Sequence, residues 1–369
     1  MTENKAVQIS SGRYYQGRGA LAVFPEEVQA HGESVLIITD RTVYPKVRDR
    51  VEPALRKVGI RFEIFWFDGF CAAGNYEAAA QAARRMKAAV VAGIGGGRIM
   101  DAAKIASDLC RVRSITVPTS AATCAATALL AVYYTDDGHF LGNYWPAYVP
   151  STTIADLDVI VSDCPVRYNA AGIIDAMAKM PEITYNRRYT KFWSGNLYSG
   201  LACAGAGETY RFLLENGPQV LEKMRSKICD QQVENSVCAA LSATGLISCL
   251  ASGGKQAAIS HCLYSFFCDC HPELTHDFLH GELVGASLTW QIMVNGEEER
   301  QAKELSGFLR KMDLPACLDD LGFRPDSAEL RELYHYLQMK MPIEDDSALQ
   351  RLRAFEEVLL HGFAPQGES

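Results

Sequence analysis

Gly93-Ile-Gly-Gly-Gly-Arg-Ile-Met-Asp101 is the stretch on which the reading of this chain turns. Four of its first five residues are glycine, it follows the apolar run 88–92, and it opens onto Asp101-Ala-Ala-Lys-Ile-Ala-Ser-Asp-Leu109. That order predicts a buried strand, a glycine-rich turn and then a helix. Glycines let backbone N–H groups approach an anion closely, and a helix N-terminus adds partial positive charge. A nucleotide pyrophosphate is the usual occupant of such a turn. The common dinucleotide fingerprint G-x-G-x-x-G is not met, because Arg98 stands where the last glycine belongs. Taken alone, the stretch fits a phosphate cradle and a plain tight turn equally well.

Around it lies a chain of 369 residues, long enough for a large core and two domains. A net charge of −8 without any basic cluster argues against a nucleic-acid partner. The apolar runs are short and carry polar residues, so no membrane span is expected, and residues 1–10 lack the apolar core of a signal peptide. A cytoplasmic location follows by default. Twelve cysteines are scattered, often among apolar neighbours, as reduced core thiols of a cytosolic protein would be. The close pair in Cys268-Asp-Cys270 lacks zinc-ribbon spacing.

Upstream of the glycine turn, residues 11–19 read as a loop, 20–32 as a helix, and Ser34-Val-Leu-Ile-Ile-Thr-Asp40 as a parallel strand. Helices at 43–58 and 76–86 alternate with a strand at 61–66, and a further strand, 114–117, ends at Pro118-Thr119-Ser120. Alternation of this kind implies right-handed β-α-β units and a parallel, Rossmann-like sheet. From Asn169 onward the pattern is helical: 169–187, 199–216, 218–227, 231–252, 255–268, 279–296 and 298–311, then shorter helices. The expected organisation is an α/β domain over 1–160 and an all-helical domain over 161–369, with the boundary inside 156–165.

Ligands of open parallel sheets sit beyond the carboxyl ends of the strands. Asp40 lies at such an end, where a carboxylate takes ribose hydroxyls and repels a 2′-phosphate, favouring NAD over NADP. A helix cap for the segment after it is equally compatible. In the helical half, His261 lies within the apolar Ala257-Ala-Ile-Ser-His-Cys-Leu and His280 within Phe278-Leu-His-Gly-Glu282. Asp175 is a lone carboxylate in the apolar Ala170-Ala-Gly-Ile-Ile-Asp-Ala-Met-Ala178, and burying it unpaired would cost several kcal/mol. One carboxylate and two imidazoles form a familiar catalytic Zn²⁺ set, while a satisfied core role fits each histidine singly. His31, His271, His276, His335 and His361 stand in polar or terminal contexts.

Four pieces taken together resemble a known family: Gly95-Gly-Gly-Arg-Ile-Met-Asp101, Val117-Pro-Thr-Ser-Ala-Ala-Thr123, Ala171-Gly-Ile-Ile-Asp175 and Phe278-Leu-His-Gly-Glu282. They look like the glycerol dehydrogenase and hydroxycarboxylate dehydrogenase branch of the iron-containing (group III) alcohol dehydrogenases, with a dehydroquinate synthase-like architecture. The resemblance implies a cleft with NAD(P) on the α/β side and a metal on the helical side. It implies Asp175, His261 and His280 as metal ligands, and Gly95, Gly96, Gly97, Arg98 and Asp101 at the pyrophosphate loop. Asp40 falls beside the adenosine ribose, and Thr119 with the segment from Leu130 to Tyr134 beside the nicotinamide. Lys179 occupies the position of the iron branch's extra histidine, which favours zinc, although iron suits the same donors.

Cys124 departs from the aspartate that contacts polyol in glycerol dehydrogenases, so it is the candidate substrate-contact position. A thiol carries no fixed charge at its reference pKa, about 8.5. The Ala-Ala-Thr-Cys-Ala-Ala run is closer to relatives that reduce 2-oxo acids. The expected activity is therefore metal-dependent hydride transfer between NAD(P)(H) and a small 2-hydroxy or 2-oxo acid, or a glycerol-like polyol. A lyase using NAD transiently and a non-catalytic nucleotide-binding descendant are the alternatives, Lys179 and Lys255 are candidates for holding a carboxylate, and a homo-oligomer is expected from the resemblance.

Overall fold

A computed structural model describes residues 8–190, 196–251, 257–341 and 346–363. Lys255 lies outside them. Six strands form one parallel sheet: β1 (Arg13–Gly17), β2 (Ser34–Thr39), β3 (Arg61–Trp66), β4 (Val90–Gly95), β5 (Arg113–Pro118) and a last strand, Thr152–Asp156. A short antiparallel hairpin, β6 (Ala131–Tyr134) and β7 (Phe140–Tyr144), stands apart, so the last strand is β8. The spatial order is β1-β8-β5-β4-β2-β3. β2 and β4 are buried along their whole length, as strands covered on both faces must be.

Helices α1 (Phe24–Gln29), α2 (Tyr44–Lys57), α3 (Ala73–Met86) and α4 (Gly97–Cys110) cover the sheet. The chain leaves β2 for β3 on one side and returns to β4 on the other. The carboxyl ends of β2 and β4 therefore meet where the winding reverses, with Ile38 in register with Gly93. Asp40 and the glycine turn emerge there side by side, at the place where such sheets bind ligands.

The helical half follows: α5 (Val166–Tyr189), α6 (Leu197–Arg225), α7 (Gln231–Cys238), α8 (Thr244–Leu250), α9 (Ile259–Cys270), α10 (Pro272–Asp277), α11 (His280–Gly285), α12 (Leu288–Val294) and α13 (Glu299–Lys311). α5 is buried on nearly every side: Ile173, Ile174, Met177 and Ala178 are each within 1% of full burial.

Several expectations are corrected. The segment 11–19 contains β1, a parallel edge strand on β8, rather than a loop. β6, β7 and β8 are strands that the sequence reading did not anticipate. The helices expected at 199–216 and 218–227 are one, running through Pro218, while 279–296 breaks at Ala286 and Ser287. One helical run, Gln231–Leu250, is long and apolar enough to cross a membrane by composition, with mean hydropathy 1.3. It is 61% buried inside the protein and interrupted by a wide turn at Ala239–Ala243, as a core helix can be. All twelve thiols are free.

Candidate active site

The glycine turn is shaped by what it cannot accommodate. A methyl group on Gly93 would lie 2.8 Å from the Ala103 Cβ, and one on Gly95 would lie 2.4 Å from the Ile99 Cδ1. These two glycines let α4 pack against the strand that feeds it. Gly96 differs: a Cβ there meets nothing within 4 Å. Gly96 caps α4 without any side-chain hydrogen bond, and no acidic residue occupies the first turn. The helix thus presents open N–H groups to a recess of about 180 Å³ lined by Gly95, Gly96, Gly97, Ser120, Thr123 and Ala125.

The other sequence-predicted nucleotide residues distribute around this recess. Asp40 Oδ1 accepts from the N–H groups of Thr42 (2.8 Å) and Val43 (2.7 Å), so the capping role is present. Its Oδ2 has no protein partner among the described residues. The Arg98 guanidinium turns away, donating to the Gly69 carbonyl (3.2 Å) and lying over the Phe70 ring. Thr119 is buried, its N–H bonded to the Gly95 carbonyl at 3.0 Å. Asp101 pairs with Lys104 at 2.9 Å inside the core. Lys104 in turn donates to the carbonyls of Ala125 (2.9 Å), Ala128 (3.3 Å) and Leu130. Asp101 therefore acts through Lys104, fixing the loop that walls the recess.

On the helical side, three elements converge. Gly281 lets α11 press onto α5, since a Cβ there would lie 2.0 Å from the Ala171 carbonyl oxygen. Arg167 of α5 grips Glu282 of α11 through two hydrogen bonds of 2.6 Å, and Glu282 also accepts from the Leu279 N–H. His280 is thereby held against Asp175. The start of α9 is tied to α5 by Glu182, whose Oε1 accepts from Ala258 and His261 N–H, both at 2.9 Å. Gln291 of α12 accepts from Ile259 N–H at 3.0 Å.

These ties place His261 Nε2 at 3.4 Å and His280 Nε2 at 3.2 Å from Asp175 Oδ1. The three ligand atoms lie within 4.8 Å of one another. Glu182 Oε2 meets His261 Nδ1 at 2.6 Å. Burial would raise the Glu182 pKa, but His261 outweighs it and holds the carboxyl below its usual range. An ionised carboxylate only accepts, so Nδ1 carries a proton, which leaves Nε2 as the nitrogen able to take a metal. Burial likewise opposes the charge on Asp175, yet both imidazoles hold its carboxyl well below the usual value. Asp175 Oδ1 is buried and accepts no hydrogen bond. One buried carboxylate oxygen without a hydrogen bond and two imidazole nitrogens converging on it form a donor set that fits a divalent metal, with one coordination position left for a small molecule.

Glu182 is the residue that sequence reading missed. Its signal was present: Asp175, Lys179 and Glu182 follow one another at i, i+4 and i+7 in the otherwise apolar stretch 170–183 of α5.

The segment after β5 joins the two sides. Ser120, Thr123 and Ala125 line the glycine recess, while Gly172 of α5 packs so closely that a Cβ would lie 1.7 Å from the Ala121 carbonyl oxygen. Cys124 sits between, its thiol pushed up to about 12 by burial. Tyr134 reaches the helical half, its hydroxyl 3.5 Å from that of Tyr264, whose ring packs edge-on against His280 at 4.2 Å between centroids.

Comparison with known proteins bears on the family of the chain. The sequence pattern of the family "Iron-containing alcohol dehydrogenase" matches residues 11–157. The glycerol dehydrogenase of Thermotoga maritima is 30% identical over 316 residues, spanning 85% of this chain and 84% of that protein. The glycerol dehydrogenase of Pseudomonas putida is 29% identical over 327 residues, 88% of this chain and 87% of that protein. The crystal structure of a probable glycerol dehydrogenase from Sinorhizobium meliloti superposes with a TM-score of 0.82 at 21% identity, covering 96% of this chain and 98% of the other.

Proposed function

The chain belongs to the iron-containing alcohol dehydrogenase family, and from that premise we propose which of its residues carry out an NAD(P)-linked oxidation or reduction at a CH–OH centre. The activity class is that of a metal-dependent oxidoreductase. The single observation that carries the assignment is the buried, hydrogen-bond-free Oδ1 of Asp175 facing two imidazole nitrogens.

Asp175, His261 and His280 would hold the metal, and three nitrogen and oxygen donors suit zinc at least as well as iron. A bound metal supplies Lewis-acid polarisation of the substrate oxygen. The chain's own contribution is placement. Glu182 fixes the His261 tautomer, and Arg167 with Glu282 fixes His280. The open N–H groups at Gly96–Arg98 receive a pyrophosphate. Asp40 keeps one oxygen free for a ribose, which favours NAD over NADP. Lys104 holds the 125–130 loop against the nicotinamide side, and Cys124 offers the substrate a neutral thiol. A small alcohol or carbonyl compound fits, either a polyol or a 2-hydroxy acid.

The test is a panel of glycerol, dihydroxyacetone, hydroxyacetone and 2-oxo acids with NADH and NADPH, with and without Zn²⁺. Net change at the NADH absorbance, lost on chelation and restored by Zn²⁺, is the expected result. Turnover that survives complete metal removal would overturn the assignment of the three ligands.

A further inference from the structure

Lys179 is a buried cation that the oxidoreductase reading does not use. Its residue exposure is 5%, it sits one helical turn beyond Asp175, and its side chain makes no hydrogen bond or ion pair among the described residues. Burying a lysine without a partner is expensive, and a protein with nothing to gain would place an apolar residue there. Burial alone would pull its pKa down, but Asp175, then Cys124 and Glu182, outweigh that and hold it above the ordinary value. The ammonium therefore stays charged.

The groups around it say what it awaits. Asp175 and Glu182 are anions, Lys179 is a cation, and Cys124 is neutral. With a divalent ion on Asp175, His261 and His280, the buried set carries one net positive charge, which a singly charged substrate would cancel. A carboxylate in place of the Cys124 thiol would remove that surplus. Among the described residues no second cation is one of the groups that act on Lys179. One ammonium suits a carboxylate, whereas a phosphate dianion calls for several donors.

Resting on the oxidoreductase reading, we propose that Lys179 is the specificity residue for the substrate, binding a carboxylate next to the reacting carbon and so selecting 2-hydroxy and 2-oxo acids over polyols. The neutral Cys124 thiol admits that carboxylate where a fixed negative charge would repel it.

Two measurements test this on the Zn²⁺-loaded protein. In the wild type, pyruvate and its neutral amide are compared for kcat/KM with NADH. The carboxylate should be preferred by about 30-fold or more, the worth of one charge-assisted contact. In Lys179→Met, calorimetric titration of oxamate into the NADH complex should show affinity lower by about 30-fold or more, while KM rises for pyruvate far more than for hydroxyacetone. A pyruvate-to-amide ratio near one overturns the assignment whether or not the variant folds. So does an equal loss on pyruvate and hydroxyacetone, which would put Lys179 at the reacting oxygen instead. Absence of NADH turnover with every charged and neutral substrate would instead sink the oxidoreductase reading itself.

Discussion

At the glycine turn the ligand-facing groups are backbone N–H donors, and apart from Met100 and Pro118 the side chains around them are small: Ser120, Thr123, Ala125 and Ala126. At the Asp175 site the ligand-facing groups are side chains from three helices, with Glu182 behind His261 and the Arg167–Glu282 pair fixing the helix that carries His280. The first surface works by leaving room, the second by filling it. Substitutions should therefore fail differently on the two sides. Adding atoms is harmful at the turn, whereas removing them is harmful among the helices.

The largest expected effect is on the side-chain surface. His261→Ala or His280→Ala removes one of three donors and should cut kcat/KM by more than about 1000-fold, several kcal/mol of lost polarisation. Metal content of the purified variants should fall in parallel, and full metal occupancy with near-native kinetics would break the contrast. Next comes Gly172→Ala, where the helical half meets the segment after β5. A methyl 1.7 Å from a backbone carbonyl oxygen forces the two apart. Urea unfolding should show a loss of about 3 kcal/mol, typical of overpacking. Glu182→Gln keeps the shape but not the charge behind His261, and Zn²⁺ affinity measured by competition with a chelator should drop about 10- to 100-fold.

A smaller effect sharpens the other side. Gly96→Ala adds a methyl that touches no protein atom, at a backbone conformation alanine adopts freely. Stability should stay within about 0.5 kcal/mol while NADH affinity weakens about tenfold, both checked by titration. Equal nucleotide affinity would mean that no ligand uses that space. The smallest effect is at Cys124. Because burial raises its thiol to about 12, it stays protonated through neutral and mildly alkaline pH. Iodoacetamide labelling of Cys124 between pH 7 and pH 9 should be far slower than that of a free thiol with a pKa of about 8.5.

Much of this contrast was legible before the fold was known. Gly93-Ile-Gly-Gly-Gly and the strands before it are local signals, so β3 and α3 were readable to within a few residues. β1 and β8 were not, because an edge strand and its neighbour are stabilised by partners distant in sequence rather than by their own composition. Asp175, His261 and His280 were readable as the parts of a familiar metal set, a carboxylate and two imidazoles in apolar helices, and only the family resemblance joined them.

The sequence by itself determined the alternation of strands and helices, the side-chain-free turn, and which polar residues would have to be buried. Those follow from periodicity and from the cost of burying charge, both properties of short stretches. Only the tertiary structure decided that Asp175, His261 and His280 meet, that Glu182 sits behind His261, and that Lys179 is buried with no hydrogen bond among the described residues. Each of those depends on close helix contacts at Gly172 and Gly281, where backbones separated by 51 and 110 residues approach to within a methyl group's reach. No local pattern encodes such an approach, because glycine marks where two segments touch without saying which two.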